Sequence, residues 1–283
     1  MTHGHDPRSR GPGSCTLEVP LRRLAVFGLS AVGLTGTISI FAAGGSPGFD
    51  TYAYWLTGHG PLYAVRDGFG AFQYTPAALF FVWPVSLLPW PFAFPVWLLI
   101  SAVALVALGR RWALALLVFL PVPMELFEGN IDLLLALAVL VGFRYPAAWA
   151  FVLVTKLTPG IGLLWFAFRR EWRPLAVAIA ATALLLAASL LIPGAWTAWW
   201  AHITDRPVGP TPNQVNMPVW FRLPLAAALV AWGARTDRRW TVIVAATLAL
   251  PALWLYSLSM LVGLVPLRRS EVRGRRASGR SAR

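Results

Sequence analysis

Four stretches carry side chains able to do chemistry. Asp50 stands in "SPGFDTYAYW", residues 46–55, just past a long apolar run and among Phe49, Tyr52, Tyr54 and Trp55. A carboxylate in a partly dry site can accept a proton from an attacking hydroxyl, which makes Asp50 a candidate general base. Two ordinary roles compete with that one: a solvated loop residue, or the N-cap of a short interfacial helix. Its aromatic neighbours equally suit the belt that Trp and Tyr form where membrane meets water. Lys156, the only lysine in the chain, sits inside an apolar run as "VTKLTPG". A charge there is costly and pairs with something or serves a function. Lys156 is therefore a partner for a phosphate or a carboxylate, or it snorkels to the interface. Thr158 and Pro159 beside it predict a broken helix that opens backbone groups to a cavity. The stretch "MELFEGNID", residues 124–132, places Glu125, Glu128, Asn130 and Asp132 between two apolar runs. These groups suit a divalent cation, or they simply populate a short loop.

A fourth stretch is a long late loop, "PGAWTAWWAHITDRPVGPTPNQVNMPVWFR", residues 193–222. Trp196, Trp199, Trp200 and Trp220 fit an interfacial belt or a platform for sugar rings. His202, Asp205, Arg206, Asn213, Gln214 and Asn216 offer donors and acceptors, and the sequence alone does not choose among these uses.

Helices in a bilayer must position these residues. The 283 residues are 58% hydrophobic and only 12% charged, against about 25% charged in a soluble domain. Runs such as Leu24–Ala43 and Leu175–Ile192 approach the roughly 20 residues that cross a hydrocarbon core. The expected fold is all-α: a polytopic transmembrane bundle of about 9–10 spans with two long extracytoplasmic loops, 44–73 and 193–222. The domain reading is a disordered cytoplasmic N-terminus (1–21), one membrane domain (22–267) and a disordered Arg-rich cytoplasmic tail (268–283). The stretch 74–109 breaks near Pro89 and Pro91, into two spans or one span plus a re-entrant piece. Pro251 divides 240–267 into two short halves.

The net charge of +13 does not indicate nucleic acid. The arginines lie between apolar runs and in the tail, most of them in the N-terminus, "RREWR", "RTDRR" and the tail. Placing those segments in the cytoplasm puts both long loops outside. The middle stays open. If 74–109 crosses twice and 147–168 once, Arg110, Arg111 and Arg144 fall outside. If 74–109 crosses once and 147–168 makes two half-crossings about Pro159, they fall inside. Cys15 is the single cysteine, and no CxxC, HExxH or DxD pattern is present.

The order of the pieces resembles the polytopic GT-C glycosyltransferases, specifically glycosyltransferase family 87. An acid follows the first span, then "GPLY", "FQYTP", "GNID", "TKLTP" with "RREWR" behind it, "PNQVN", and "PALWLY". The family's characterised members look like polyprenol-phosphate-mannose-dependent α-mannosyltransferases of actinobacterial envelopes. The resemblance implies that Asp50 is the catalytic base, and that Tyr74, Asn130, Lys156, Asn213, Gln214 and Tyr256 match family positions around substrate. Two positions depart from the pattern: "GNID" replaces Gly-Gln-x-Asn, and Tyr256 stands where histidine is expected. With Tyr54, Arg66, His202 and Arg206, these residues form the expected substrate-binding set. Lys156, Arg66, Arg206 or Arg222 would meet the donor phosphate. No cofactor is implied, and a divalent cation stays open. The implied partners are a polyprenyl-phosphate-sugar donor, a lipid or glycan acceptor and the surrounding membrane lipids, with no nucleic acid. The implied location is the cell membrane, with the active site on the extracytoplasmic side. Broken helices and an intramembrane lysine also suit a transporter or flippase of lipid-linked sugars, and Tyr256 suits a catalytically inactive relative.

Overall fold

The computed structural model describes residues 47–205 and 217–267, together with Thr35. The first apolar run apart from Thr35, both terminal segments and residues Arg206, Asn213 and Gln214 lie outside the described residues. Among the described residues the elements are all helices, joined by turns and loops. The helices are α1 Phe49–Leu56, α2 Leu79–Ser86, α3 Trp90–Gly109, α4 Ala113–Leu116, α5 Pro121–Glu128, α6 Asp132–Gly142 and α7 Trp149–Thr155. They continue with α8 Leu164–Phe168, α9 Trp172–Ser189, α10 Ala195–Thr204, α11 Val219–Arg235 and α12 Trp240–Leu248. A 3-10 helix, Tyr256–Gly263, follows, and the described chain ends in a helical turn that continues to Leu267.

Two of these segments are long and apolar enough to cross a bilayer: Trp90–Leu116 and Trp172–Ser189. Five other apolar helices have 10–17 residues. Among the described residues only these two reach that length; several other apolar runs are short because proline or a charge interrupts them. The two long helices expose large apolar side chains, among them Phe92, Leu99, Val103 and Val106 on α3 and Val177, Ile179 and Leu184 on α9. Such outward apolar surface fits contact with lipid.

Proline sets the breaks. Pro89 and Pro91 stand at the start of α3, where a missing N–H removes no helical hydrogen bond. The stretch 74–109 therefore forms one long helix preceded by a short piece. The indole Nε1 of Trp55 donates to the Leu88 carbonyl (2.8 Å), and Trp55 packs on Trp90, so α3 begins beside α1. Its 20 residues carry Arg110 about 30 Å away. Lys156 is extended (φ −131°, ψ 98°) between α7 and a 3-10 turn, Thr158–Leu163, that Pro159 opens. Pro251 falls in the break between α12 and the last 3-10 helix. The expected interruptions at Pro89–Pro91, Lys156–Pro159 and Pro251 are all present.

Ion pairs and rings define the two ends of the bundle. At one end Arg169 pairs with Asp237 (3.0 Å) and donates to the Ala234 carbonyl (3.1 Å), joining "RREWR" to "RTDRR". Arg239 lies over the Phe143 ring at 5.3 Å, which brings the Arg144 segment to the same end. At the opposite end of α6 the two long loops meet: Arg66 pairs with Asp205 (3.1 Å), and Tyr63 packs on His202 at 5.4 Å between ring centres.

Candidate active site

Asp50 is the second residue of α1, not its cap. Gly48 holds the cap position in the left-handed conformation (φ 77°), and its N–H donates to the Phe127 carbonyl (2.7 Å). The N-cap reading of Asp50 is thereby corrected, and its carboxylate is available for a longer-range partner. That partner is Asn130, whose Nδ2 donates to Asp50 Oδ2 at 2.6 Å. Thr51 ties the same two segments together by donating to the Gly129 carbonyl (3.2 Å).

Asn130 sits between Asp50 and Lys156. Its Oδ1 accepts from Lys156 Nζ (3.2 Å) and from the backbone N–H of Ile131 (2.6 Å). Lys156 Nζ also pairs with Asp132 Oδ1 at 2.5 Å, and the Asp132 side chain is wholly buried. The extended break at Lys156 turns the lysine toward the start of α6. Thr75 holds this break from the other side by donating to the Val154 carbonyl (2.5 Å).

Tyrosines line the same region. Tyr54, one turn beyond Asp50 and buried, shares a hydroxyl–hydroxyl hydrogen bond with Tyr74 (3.1 Å). Tyr63 donates to the Tyr74 carbonyl (2.7 Å). The phenol of Tyr256 lies within electrostatic reach of Asp50, Asp132, Glu125 and Tyr74. Asp50, Tyr54, Tyr74, Asn130, Lys156 and Tyr256 are thus brought together from segments more than 200 residues apart. His202 is buried one layer out, against Tyr63. Arg66 is exposed and paired with Asp205.

Two expectations change. Arg222 is buried and donates to the carbonyls of Met217 (3.0 Å), Leu248 (2.6 Å) and Pro251 (3.3 Å). Its guanidinium closes the chain break after α12, so it does not serve as a phosphate contact. The acids of "MELFEGNID" do not converge as a ligand set. Asp132 faces a cation, and among the described residues no group of three or more His, Cys, Asp or Glu side chains gathers.

Glu125 has a role that the spacing alone did not reveal. Its Oε1 accepts from the N–H groups of Asp132 (2.6 Å) and Leu133 (3.3 Å). A carboxylate thereby closes the start of α6, whose first N–H groups have no partner within the helix. The available signal was an acid seven residues upstream of the start of an apolar helix. Glu125→Ala leaves two buried donors unpaired, so a loss of about 1–3 kcal/mol in stability is expected, read as a lower Tm in detergent. Glu125→Gln keeps an acceptor oxygen and is expected to lose little.

The electrostatics favour proton transfer. Burial pushes the Asp50 carboxyl up to about 6, although the Asn130 hydrogen bond and the Lys156 charge pull it back down. Glu128, at the end of α5, is pushed up to about 7 by burial and then by the charge of Asp50. A carboxylate poised near neutrality, half-buried and held by one donor, fits a general base.

The model for Glycosyltransferase family 87 matches residues 72–278. The chain belongs to glycosyltransferase family 87. As a member it is a membrane glycosyltransferase. Comparisons with curated proteins and with solved structures gave no significant match. Asp50 lies ahead of the residues that the family 87 model covers, whereas Tyr74, Asn130, Lys156 and Tyr256 lie within them. What joins Asp50 to the family segment is the hydrogen bond to Asn130.

Proposed function

We propose that this protein transfers a hexose, mannose first among candidates, from a polyprenyl-phosphate-linked donor to a lipid or glycan acceptor at the extracytoplasmic face. The observation that carries this reading is the Asp50 carboxylate, half-buried and fixed by Asn130 with Lys156 behind it. A donor whose lipid stays in the bilayer presents its sugar at the membrane surface, where the two long loops meet.

The acceptor hydroxyl gives its proton to Asp50 as its oxygen attacks the anomeric carbon. The bond from that carbon to the phosphate oxygen breaks, and its electron pair leaves with the polyprenyl phosphate. Attack opposite the leaving group inverts the centre, so a β-linked donor gives an α-linked product. Stabilising the departing phosphate is an electrostatic task for positioned donors. Lys156 is shared with Asp132, so Arg66 on the first loop and Arg206 on the second are the cations proposed for it, with a bidentate guanidinium well matched to phosphate oxygens. Tyr54, Tyr74, Tyr256, His202, Asn213 and Gln214 are proposed to contact sugar or acceptor.

The test is incubation of the purified protein with a polyprenyl-phosphate-mannose and a panel of lipid and glycan acceptors, followed by mass spectrometry of the products. A hexose added to one acceptor supports the reading, and an unchanged panel across several donor sugars sinks it. The pH dependence is a second check. The base must be ionised, so kcat/KM is expected to be level above about 6 and to fall about tenfold per unit below it.

A further inference from the structure

We propose that the buried Lys156–Asp132 pair is a positioning device for Asp50, acting through the Asn130 carboxamide. Lys156 fixes which way the amide faces and sets the field in which Asp50 gains and loses its proton, and Asp132 limits that field. The inference rests on the reading of Asp50 as the base.

The amide geometry carries the first half of the argument. Two donors, Lys156 Nζ and the Ile131 N–H, converge on one atom of the Asn130 side chain. Only oxygen accepts, so that atom is Oδ1 and the NH₂ must face the other way. The other way is Asp50 Oδ2. Without Lys156 the amide keeps a single donor to hold it and is freer to turn. The Asn130 backbone is also fixed, its N–H donating to the Glu125 carbonyl at 3.3 Å. Lys156 therefore acts on Asp50 at one remove, through a side chain with no other place to go.

Charge carries the second half. Lys156 and Asp132 form an ion pair in which the carboxylate is fully buried and the amine nearly so. Such a pair is weak grounds for stability, because desolvation offsets most of the attraction. Its field at Asp50 is not offset in the same way. The ammonium favours an ionised Asp50, and the Asp132 carboxylate opposes it. Other groups also face Asp50: Tyr54 on its own helix, Tyr74, Glu125 and Glu128 of α5, and Tyr256. None of these donates a hydrogen bond to the Asn130 oxygen, so among the charged groups facing Asp50 it is Lys156 that acts on the amide, beside the Ile131 N–H.

The experiment follows the ionisation of Asp50 in the full-length protein in detergent. Infrared absorption of protein labelled with carbon-13 aspartate reports protonated carboxyls, and the Asp50 band is the one absent from Asp50→Asn. Lys156→Met is expected to raise the Asp50 pKa by about one unit or more. Asp132→Asn is expected to lower it, and the double variant to return it close to the starting value. If Lys156→Met leaves Asp132 buried and unpaired and does not fold, Asp132→Asn and the double variant carry the test. A residue that serves structure alone would not produce shifts of opposite sign. Shifts of the same sign, or none, overturn the inference. The transfer assay separates the two readings. An active Asp50→Asn sinks the base and leaves the titration result standing, whereas an inactive Asp50→Asn with immobile titrations sinks this inference alone.

Discussion

Asp50→Asn is expected to lower the transfer rate by about 10²–10⁴-fold while the protein folds as before. The carboxamide cannot take the acceptor proton, but its oxygen can still accept from Asn130 Nδ2, so the contact between α1 and the Asn130 loop persists. Stability is expected to hold or to rise. In the folded protein the Asp50 carboxyl sits at about 6, above its ordinary 3.8. A carboxyl raised on folding contributes stability below the unfolded value, and that contribution is lost as pH rises through 6. At neutral pH its charge opposes folding, and a neutral amide removes that cost. Two measurements check this: product formation by mass spectrometry, and Tm in the same detergent at pH 7.5. A carrier of lipid-linked sugars that used Asp50 only as a loop residue would keep most of its flux in the variant, so transfer and flux assays on one preparation distinguish the two activities.

Much of the site was legible because membrane sequences make polar residues conspicuous. A lone lysine in an apolar run has to meet a partner, and Lys156 meets Asp132 and Asn130. The breaks at Pro89–Pro91, Pro159 and Pro251 followed from the missing N–H of proline. What composition could not give was pairing. Asp132 suited a cation-binding loop or an ordinary short loop, and its ion pair appears only when the chain returns at Lys156. Arg222 has the same charge as any loop arginine, and its three carbonyl acceptors come from separate turns of chain. Composition did not give the length of each span, because an apolar run signals burial in lipid or in protein alike. The pieces 132–142 and 146–155 are apolar but too short to cross, and much of α6 packs inside the bundle.

The position of Asp50 against Asn130 depends on a glycine that carries neither charge nor side chain. Gly129 ends α5 in the left-handed conformation (φ 68°, ψ 35°), which costs a residue with a Cβ about 1 kcal/mol or more. A Cβ at this position would overlap the Thr51 hydroxyl and come within 3.5 Å of the Trp97 ring. Thr51 and Gly129 are the chain neighbours of Asp50 and Asn130, so any retreat at this contact stretches the 2.6 Å hydrogen bond beside it. Gly129→Ala is therefore expected to lower stability by about 1–3 kcal/mol and activity by about 10²-fold, the scale of a 1 Å misplacement of a catalytic group. The loss should exceed what the fall in Tm explains when activity is measured well below the unfolding transition. Thr51→Ala in the Gly129→Ala background removes the oxygen that the new methyl strikes, and part of the activity should return, although the left-handed backbone still carries its penalty. Full activity in Gly129→Ala alone would mean that the approach of α1 to this turn does not hold the base in place.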